Sequence, residues 1–135
     1  MRTTRRSLLA ALPLPCSAFF QAAPAASAAI RGITTRRHTI SNRDYLFVEI
    51  ETSEGIKGLG EASISGRIDI VEEAVRWFLP HLHGRNPAGI EAHWNRNYYE
   101  LSRYRNGPVL MTALSAIDLA LWDIEGKRLG VPVWR

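Results

Sequence analysis

From Pro108 to about Leu129 the chain reads as a helix that is apolar on nearly every side, and this stretch constrains the fold more than any other. Val109, Leu110, Ala113, Leu114, Ile117, Ala120, Leu121, Trp122 and Ile124 are spread around its circumference. A helix of this kind is buried on more than one side. Pro108 suits a first helical turn, and Gly130 and Pro132 stop the helix. At about 21 residues it is about 32 Å long. Lys127 and Arg128 sit at its C-terminal end, where the helix dipole favours cations. Two carboxylates, Asp118 and Asp123, interrupt the apolar surface. Buried carboxylates are costly unless paired or hydrogen-bonded. They lie about 140° apart around the axis, so they do not share a face and do not converge on one substrate. Both read as framework: Asp123 pairs with Lys127 four residues on, and Asp118 accepts hydrogen bonds from a neighbouring segment.

The segments before this helix supply part of its cover. "IRGITTRRHTI", from Ile30, reads as a first strand, "SNRD" (Ser41–Asp44) as a polar loop, and "YLFVEIET" as a second strand. In the second, Leu46, Val48 and Ile50 alternate with Phe47, Glu49 and Glu51. "SEG" is a turn with Gly55 at positive φ, and "IKGLGEA" is a third strand. Gly58 and Gly60 in it suggest a bulge or a close backbone approach. From Ile68 the period changes. Val71, Ala74, Val75, Phe78, Leu79 and Leu82 mark an amphipathic helix, disturbed near Pro80 and closed by Gly84. A second helix follows Pro87, with Ile90, Trp94, Tyr98 and Leu101 on one stripe, and "SRYRNG" breaks it. The expected class is α+β: a three-stranded antiparallel meander followed by a three-helix bundle. Together these elements cover only part of the long helix, so something outside the chain is expected to cover the rest.

The chain has 135 residues, room for one domain. Its formal charge of +4 does not mark a nucleic-acid binder. Arg2, Arg5 and Arg6 lie in the first 28 residues, which hold no acid, and the remainder carries 14 basic and 13 acidic residues without a basic stripe. The first 28 residues instead read as an export signal. They have a basic start, an apolar middle from Leu8 to Phe20, and a small-residue tail ending in Ala26-Ser27-Ala28. Arg5, Arg6 and Leu9 resemble a twin-arginine motif. Pro13 and Pro15 break the segment too much for a membrane span. An exported, periplasmic location follows as the expectation, with the cytoplasm as the alternative. The one cysteine, Cys16, falls inside the signal, so the rest of the chain has no thiol chemistry, disulfide or Cys-zinc site.

Nothing along the chain reads as a catalytic centre. His81 and His83, two apart, point away from one another on a helix and read as a solvated helix end rather than a metal pair. "GLGEAS" lacks the glycines and lysine of a phosphate loop, and no nucleophile elbow or H-E-x-x-H occurs. No catalytic and no metal-ligating residue is assigned.

"VEIETSEGIKGLGEAS" and "ALSAIDLALWDIEGKRLGVPVW", at this separation, resemble the N-terminal capping domain of the mandelate racemase/muconate lactonizing enzyme group of the enolase superfamily. The resemblance covers about residues 30 to 135. "SGRIDIVEEAV" and "YRNGPVLMTALSAIDLALWDIEGK" look most like sugar-acid dehydratases, galactonate dehydratases ahead of mannonate dehydratases. The resemblance implies a meander and helical bundle that cap a TIM barrel. In such enzymes the barrel holds Mg²⁺ and the acid/base residues, and an enediolate held by the metal loses the β-hydroxyl. None of the barrel's metal ligands or bases has a matching position here. On this reading the chain is a cap cut off before its barrel, inactive alone and without a cofactor of its own.

What the resemblance does transfer is the cap's share of the pocket. The loops after the first and third strands read the substrate's distal end, which places Asn42, Arg43, Asp44, Ser63, Ile64 and Ser65 against a sugar acid. Arg43 would donate to its hydroxyls and Asp44 accept from them. Tyr104 and Arg105 read as structural. The implied partners are the barrel, against residues 109–129, and, in the complete enzyme, further copies of itself. Two other readings stay open: a cap for racemisation or cycloisomerisation on the same scaffold, and a stand-alone, non-catalytic exported module.

Overall fold

In the computed structural model the described residues are 28–101 and 106–135. The export segment therefore lies outside them, apart from its last residue, as do Tyr104 and Arg105. Three strands, β1 (Ile30–Ile40), β2 (Arg43–Thr52) and β3 (Lys57–Glu61), form an antiparallel sheet in the order β1-β2-β3. Helices α1 (Ile68–Leu82), α2 (Ile90–Asn95) and α3 (Pro108–Leu129) follow, and α2 runs straight into a π-helical turn, Arg96–Leu101. The expected α+β meander and helices are present. No helix among the described residues is long and apolar enough to cross a membrane.

Alternation along β2 decides which sheet face is buried. Leu46, Val48, Ile50 and Thr52 are fully buried, while Tyr45, Phe47, Glu49 and Glu51 are only half-buried on the other face. Against the buried face α1 sets Val71, Val75, Phe78 and Leu82, and α3 sets Ala116, Ile117, Ala120 and Ile124.

β3 contributes backbone rather than side chains to this core. A Cβ on Gly60 would lie 1.9 Å from the carbonyl oxygen of Ala116, and one on Gly58 would lie 2.0 Å from that of Ala120. The two glycines allow α3 to rest directly on the strand, which is the close backbone approach their spacing suggested. α3 also seals the outer edge of β3. The Leu59 N–H donates to Asp123 Oδ2 at 2.8 Å, and Lys127 Nζ donates to the Lys57 carbonyl at 2.6 Å. Groups that would leave an open sheet edge are thereby satisfied.

The ends of α3 follow its sequence. Pro108 occupies the first turn after Gly107. At the other end Gly130, at φ 66°, donates to the Lys127 carbonyl, and the Val131 N–H reaches the Gly126 carbonyl at 2.9 Å, a Schellman closure.

Three expectations need correction. "SNRD" is not a four-residue loop: only Ser41 and Asn42 turn, at φ 48° and 64°, and β2 begins at Arg43. Two successive positive φ values match the right-handed twist of a hairpin, and asparagine tolerates that region. The second helix keeps α geometry for only six residues before widening into the π turn. Among the side chains described there, Ile90, His93 and Asn97 are buried, while Trp94 and Tyr98 of the expected stripe are half-buried. Finally, Asp123 keeps its expected pairing with Lys127 and also takes the hydrogen bond expected of Asp118. Asp123 receives the neighbouring strand's N–H and also Lys127 Nζ at 2.7 Å. Asp118 lies half-buried in the seam with α2, beside His93, Trp94 and Leu121, and burial pushes its carboxyl above the ordinary range.

Candidate functional site

The two cap loops meet at one end of the sheet. The hairpin places Asn42 at its exposed tip, and the chain leaving β3 returns alongside β2. There the Ala62 N–H donates to the Leu46 carbonyl at 2.7 Å, and the Leu46 N–H donates to Ser63 Oγ at 3.1 Å. Ser63 thus fixes the second loop two residues from Asp44. Beyond it the Arg67 N–H closes a turn onto the Ile64 carbonyl at 3.0 Å, with Gly66 at φ 68°. Ile64 packs on the core and anchors the loop, whereas Ser65 is exposed.

Arg43 and Asp44 share this end but not a face. As consecutive strand residues they point oppositely. Asp44 lies on the core-side face and accepts from the Thr39 hydroxyl at 2.7 Å. Arg43 lies on the outer face, its guanidinium 5.4 Å from the centre of the Tyr45 ring, and Tyr45 stacks on Phe47 at 6.4 Å. Asp44 and Ser63 therefore lie at the same end of the sheet, with Asn42 at the hairpin tip and Ser65 exposed beyond, while Arg43 turns to the other face. Asp44 retains one carboxylate oxygen free of hydrogen bonds to the described residues.

A charged network that the sequence reading missed steadies this end. Glu72 of α1 is buried and accepts from the Thr35 hydroxyl at 2.5 Å, from Arg37 Nε at 2.8 Å and from Arg76 at 3.0 Å. Arg37 also reaches Asp69 at 2.5 Å. The Thr35 hydroxyl is the main reason the Glu72 carboxyl sits below its ordinary value, with Arg37 and Arg76 assisting and burial opposing. The signal was present: Glu72 occupies a position on the buried stripe of α1, and Thr35 and Arg37 alternate on the inner face of β1.

Among the described residues no group of three or more His, Cys, Asp or Glu side chains stands close enough to hold a metal ion. His81 packs edge-on against Trp77 at 5.2 Å, and His83 is exposed at the end of α1. The residues present do not supply a seat for Mg²⁺.

The family model of the mandelate racemase/muconate lactonizing enzyme N-terminal domain matches residues 21–135. The chain belongs to this family. Two curated relatives are D-galactonate dehydratases. That of Variovorax paradoxus is 49% identical over 102 residues, 74% of this chain and 26% of the relative. That of Pectobacterium atrosepticum is 50% identical over 91 residues, 67% of this chain and 24% of the relative. The chain thus spans about a quarter of the length of the curated relatives it matches. Among solved structures, an enolase from Pantoea ananatis with bound D-gluconate and Mg matches with a TM-score of 0.75 and 41% identity, over 79% of this chain and 26% of that one. An enolase-superfamily member from Salmonella Typhimurium matches at 0.73 and 27%, over 78% and 28%. The meander and helices described above are therefore the capping domain of the enolase superfamily, as the two sequence motifs implied.

Proposed function

We propose that this chain is the specificity cap of a sugar-acid dehydratase of the galactonate dehydratase type. The observation that carries the reading is the near-half identity to D-galactonate dehydratases across most of the described fold. The hairpin tip and the loop after β3 support it, because both present polar groups at one end of a rigid sheet. In this role Asn42, Asp44, Ser63 and Ser65 exchange hydrogen bonds with the hydroxyls at the substrate's distal end. Arg43 adds positive charge at the rim. These loops orient the acid and exclude water while the chemistry proceeds elsewhere. The Mg²⁺ that the resemblance implies is held by residues outside this chain, and the cap takes no part in proton transfer.

The outer face of α3 supports the same reading. Leu119, Trp122 and Leu129 are about half exposed, and Val133 and Trp134 continue the patch. Apolar surface of this kind marks an interface. A barrel covers it in the complete protein, and further copies assemble around that unit. The basic start and small-residue tail of residues 1–28 direct export.

The test is a chimera that joins residues 30–135 to the barrel of the Variovorax paradoxus relative. The expected result is dehydration of a sugar acid, with KM raised by Asp44→Asn and kcat nearly unchanged. A folded chimera that acts only on aromatic hydroxy acids, or racemises without losing water, would overturn the reading.

A further inference from the structure

Between the end of α1 and the π turn, away from the cap loops, lies a cleft of about 210 Å³, open to solvent. It is lined by Arg85, Asn86, Gly89, Ala92, His93 and Arg96, and among the described residues no acidic one lines it. Neither arginine forms an ion pair among the described residues. Arg85 uses Nε on the His81 carbonyl at 2.8 Å, which leaves its two terminal nitrogens. Arg96 is half-buried, and its Nε is fully buried with no hydrogen-bond partner. A buried donor on a charged group is costly to leave unmade.

The wall of the cleft is held in place. Asn86 Oδ1 accepts from the Ala88 N–H at 3.0 Å, and the Asn86 carbonyl accepts from the Gly89 N–H at 3.3 Å. The same carbonyl lies 2.8 Å from His93 Nε2. A carbonyl only accepts, so Nε2 carries the hydrogen, and Nδ1 of the neutral ring stays unprotonated.

We propose that this cleft binds a tetrahedral oxyanion of the phosphate class between Arg85 and Arg96. Guanidinium forks match such an anion with paired, charge-assisted hydrogen bonds. No helix dipole is needed, since α2 has only six residues. His93 reports occupancy. Burial holds its ring below the usual histidine range, the two arginines add to that effect, and the Asn86 contact opposes it. An anion cancels the arginines' charge and lets the ring take up a proton at higher pH. Asp118, which faces His93 from α3, is present in both states and does not create the difference.

The experiment follows the histidine ring resonances of the full chain by NMR during a titration with inorganic phosphate, with sodium chloride at matched ionic strength as the control. The expected result is a saturable change at His93, with its titration midpoint raised by about half a pH unit or more. Arg85→Gln and Arg96→Gln should each weaken the response at least about tenfold. Arg85 is exposed, so its variant decides the matter if circular dichroism shows Arg96→Gln to be unfolded. An equal change in chloride, or a phosphate response that survives Arg85→Gln undiminished, overturns the proposal.

Discussion

α3 has two seams, and they are built on opposite principles. Towards β3 it makes backbone contact: Gly58 and Gly60 admit the Ala120 and Ala116 carbonyls, and Asp123 and Lys127 close the strand's free edge. Towards α2 it meets a short helix and a π turn through a mixed surface, with buried His93 and Asn97 and half-buried Asp118 among Ile90, Leu114 and Leu121. In the first seam the Leu59 N–H, the Lys57 carbonyl, Asp123 and Lys127 satisfy one another. The second tolerates a carboxylate whose charge burial disfavours. The loop after β3 leaves directly from the tight seam, and the Ser63 hydroxyl, Ile64 and the Glu72 network then hold the cap end in place.

Three substitutions separate the two seams, and a fourth, at Glu72, tests the network that steadies the cap end. Gly60→Ala should have the largest effect, because its methyl meets backbone on a neighbouring element and neither side has a flexible tip to move. The cost should be about 3 kcal/mol or more, read as a loss of denaturant midpoint. Next is Glu72→Gln, which weakens the contacts to Thr35, Arg37 and Arg76 at a cost of about 1–3 kcal/mol. Its pH signature has a definite sign. The folded-state value lies below the ordinary 4.5, so the stabilisation is full above that value and is lost as pH falls through the folded one. Acid titration of stability should flatten in the variant. Asp123→Ala leaves the Leu59 N–H without its acceptor and should cost about 1–2 kcal/mol by the same measurement. Asp118→Asn should go the other way. It removes a charge that burial disfavours and should be neutral or stabilising at pH 7 by up to about 0.5 kcal/mol, with the difference vanishing as pH falls through the carboxyl's raised value. If Asp118→Asn destabilised as much as Asp123→Ala, the contrast between the seams would fail.

The seams also differ in how far the sequence disclosed them. Alternation on β2, the i, i+3, i+4 stripe of α1 and the Pro/Gly punctuation of α3 are local signals, and the elements appear at the expected residues within a position or two. The glycines of β3 announced a close approach because only a missing Cβ permits one. The π turn was illegible, since it arises where His93 and Asn97 are drawn against α3, and tertiary packing of that kind leaves no period. Helix geometry set the angle between Asp118 and Asp123, and the i, i+4 spacing disclosed the Asp123–Lys127 pair, but neither showed which neighbour occupies each side, so the strand N–H expected at Asp118 falls to Asp123 instead. At the cap end a turn between the first two strands was legible, and the directions of its side chains were not. Reading Arg43 as loop hid the strand alternation that turns it away from Asp44.

Amide hydrogen exchange on the full chain tests the central contrast most directly, comparing the Leu59 N–H, held by Asp123, with the His93 N–H, held within α2 by the Gly89 carbonyl at 2.9 Å. The expected result is that Leu59 exchanges only through global unfolding, whereas His93 exchanges faster through local opening of α2. Equal protection at the two sites, or a Leu59 amide that opens first, would contradict a cap whose loop after β3 is carried by the strand-side seam of α3.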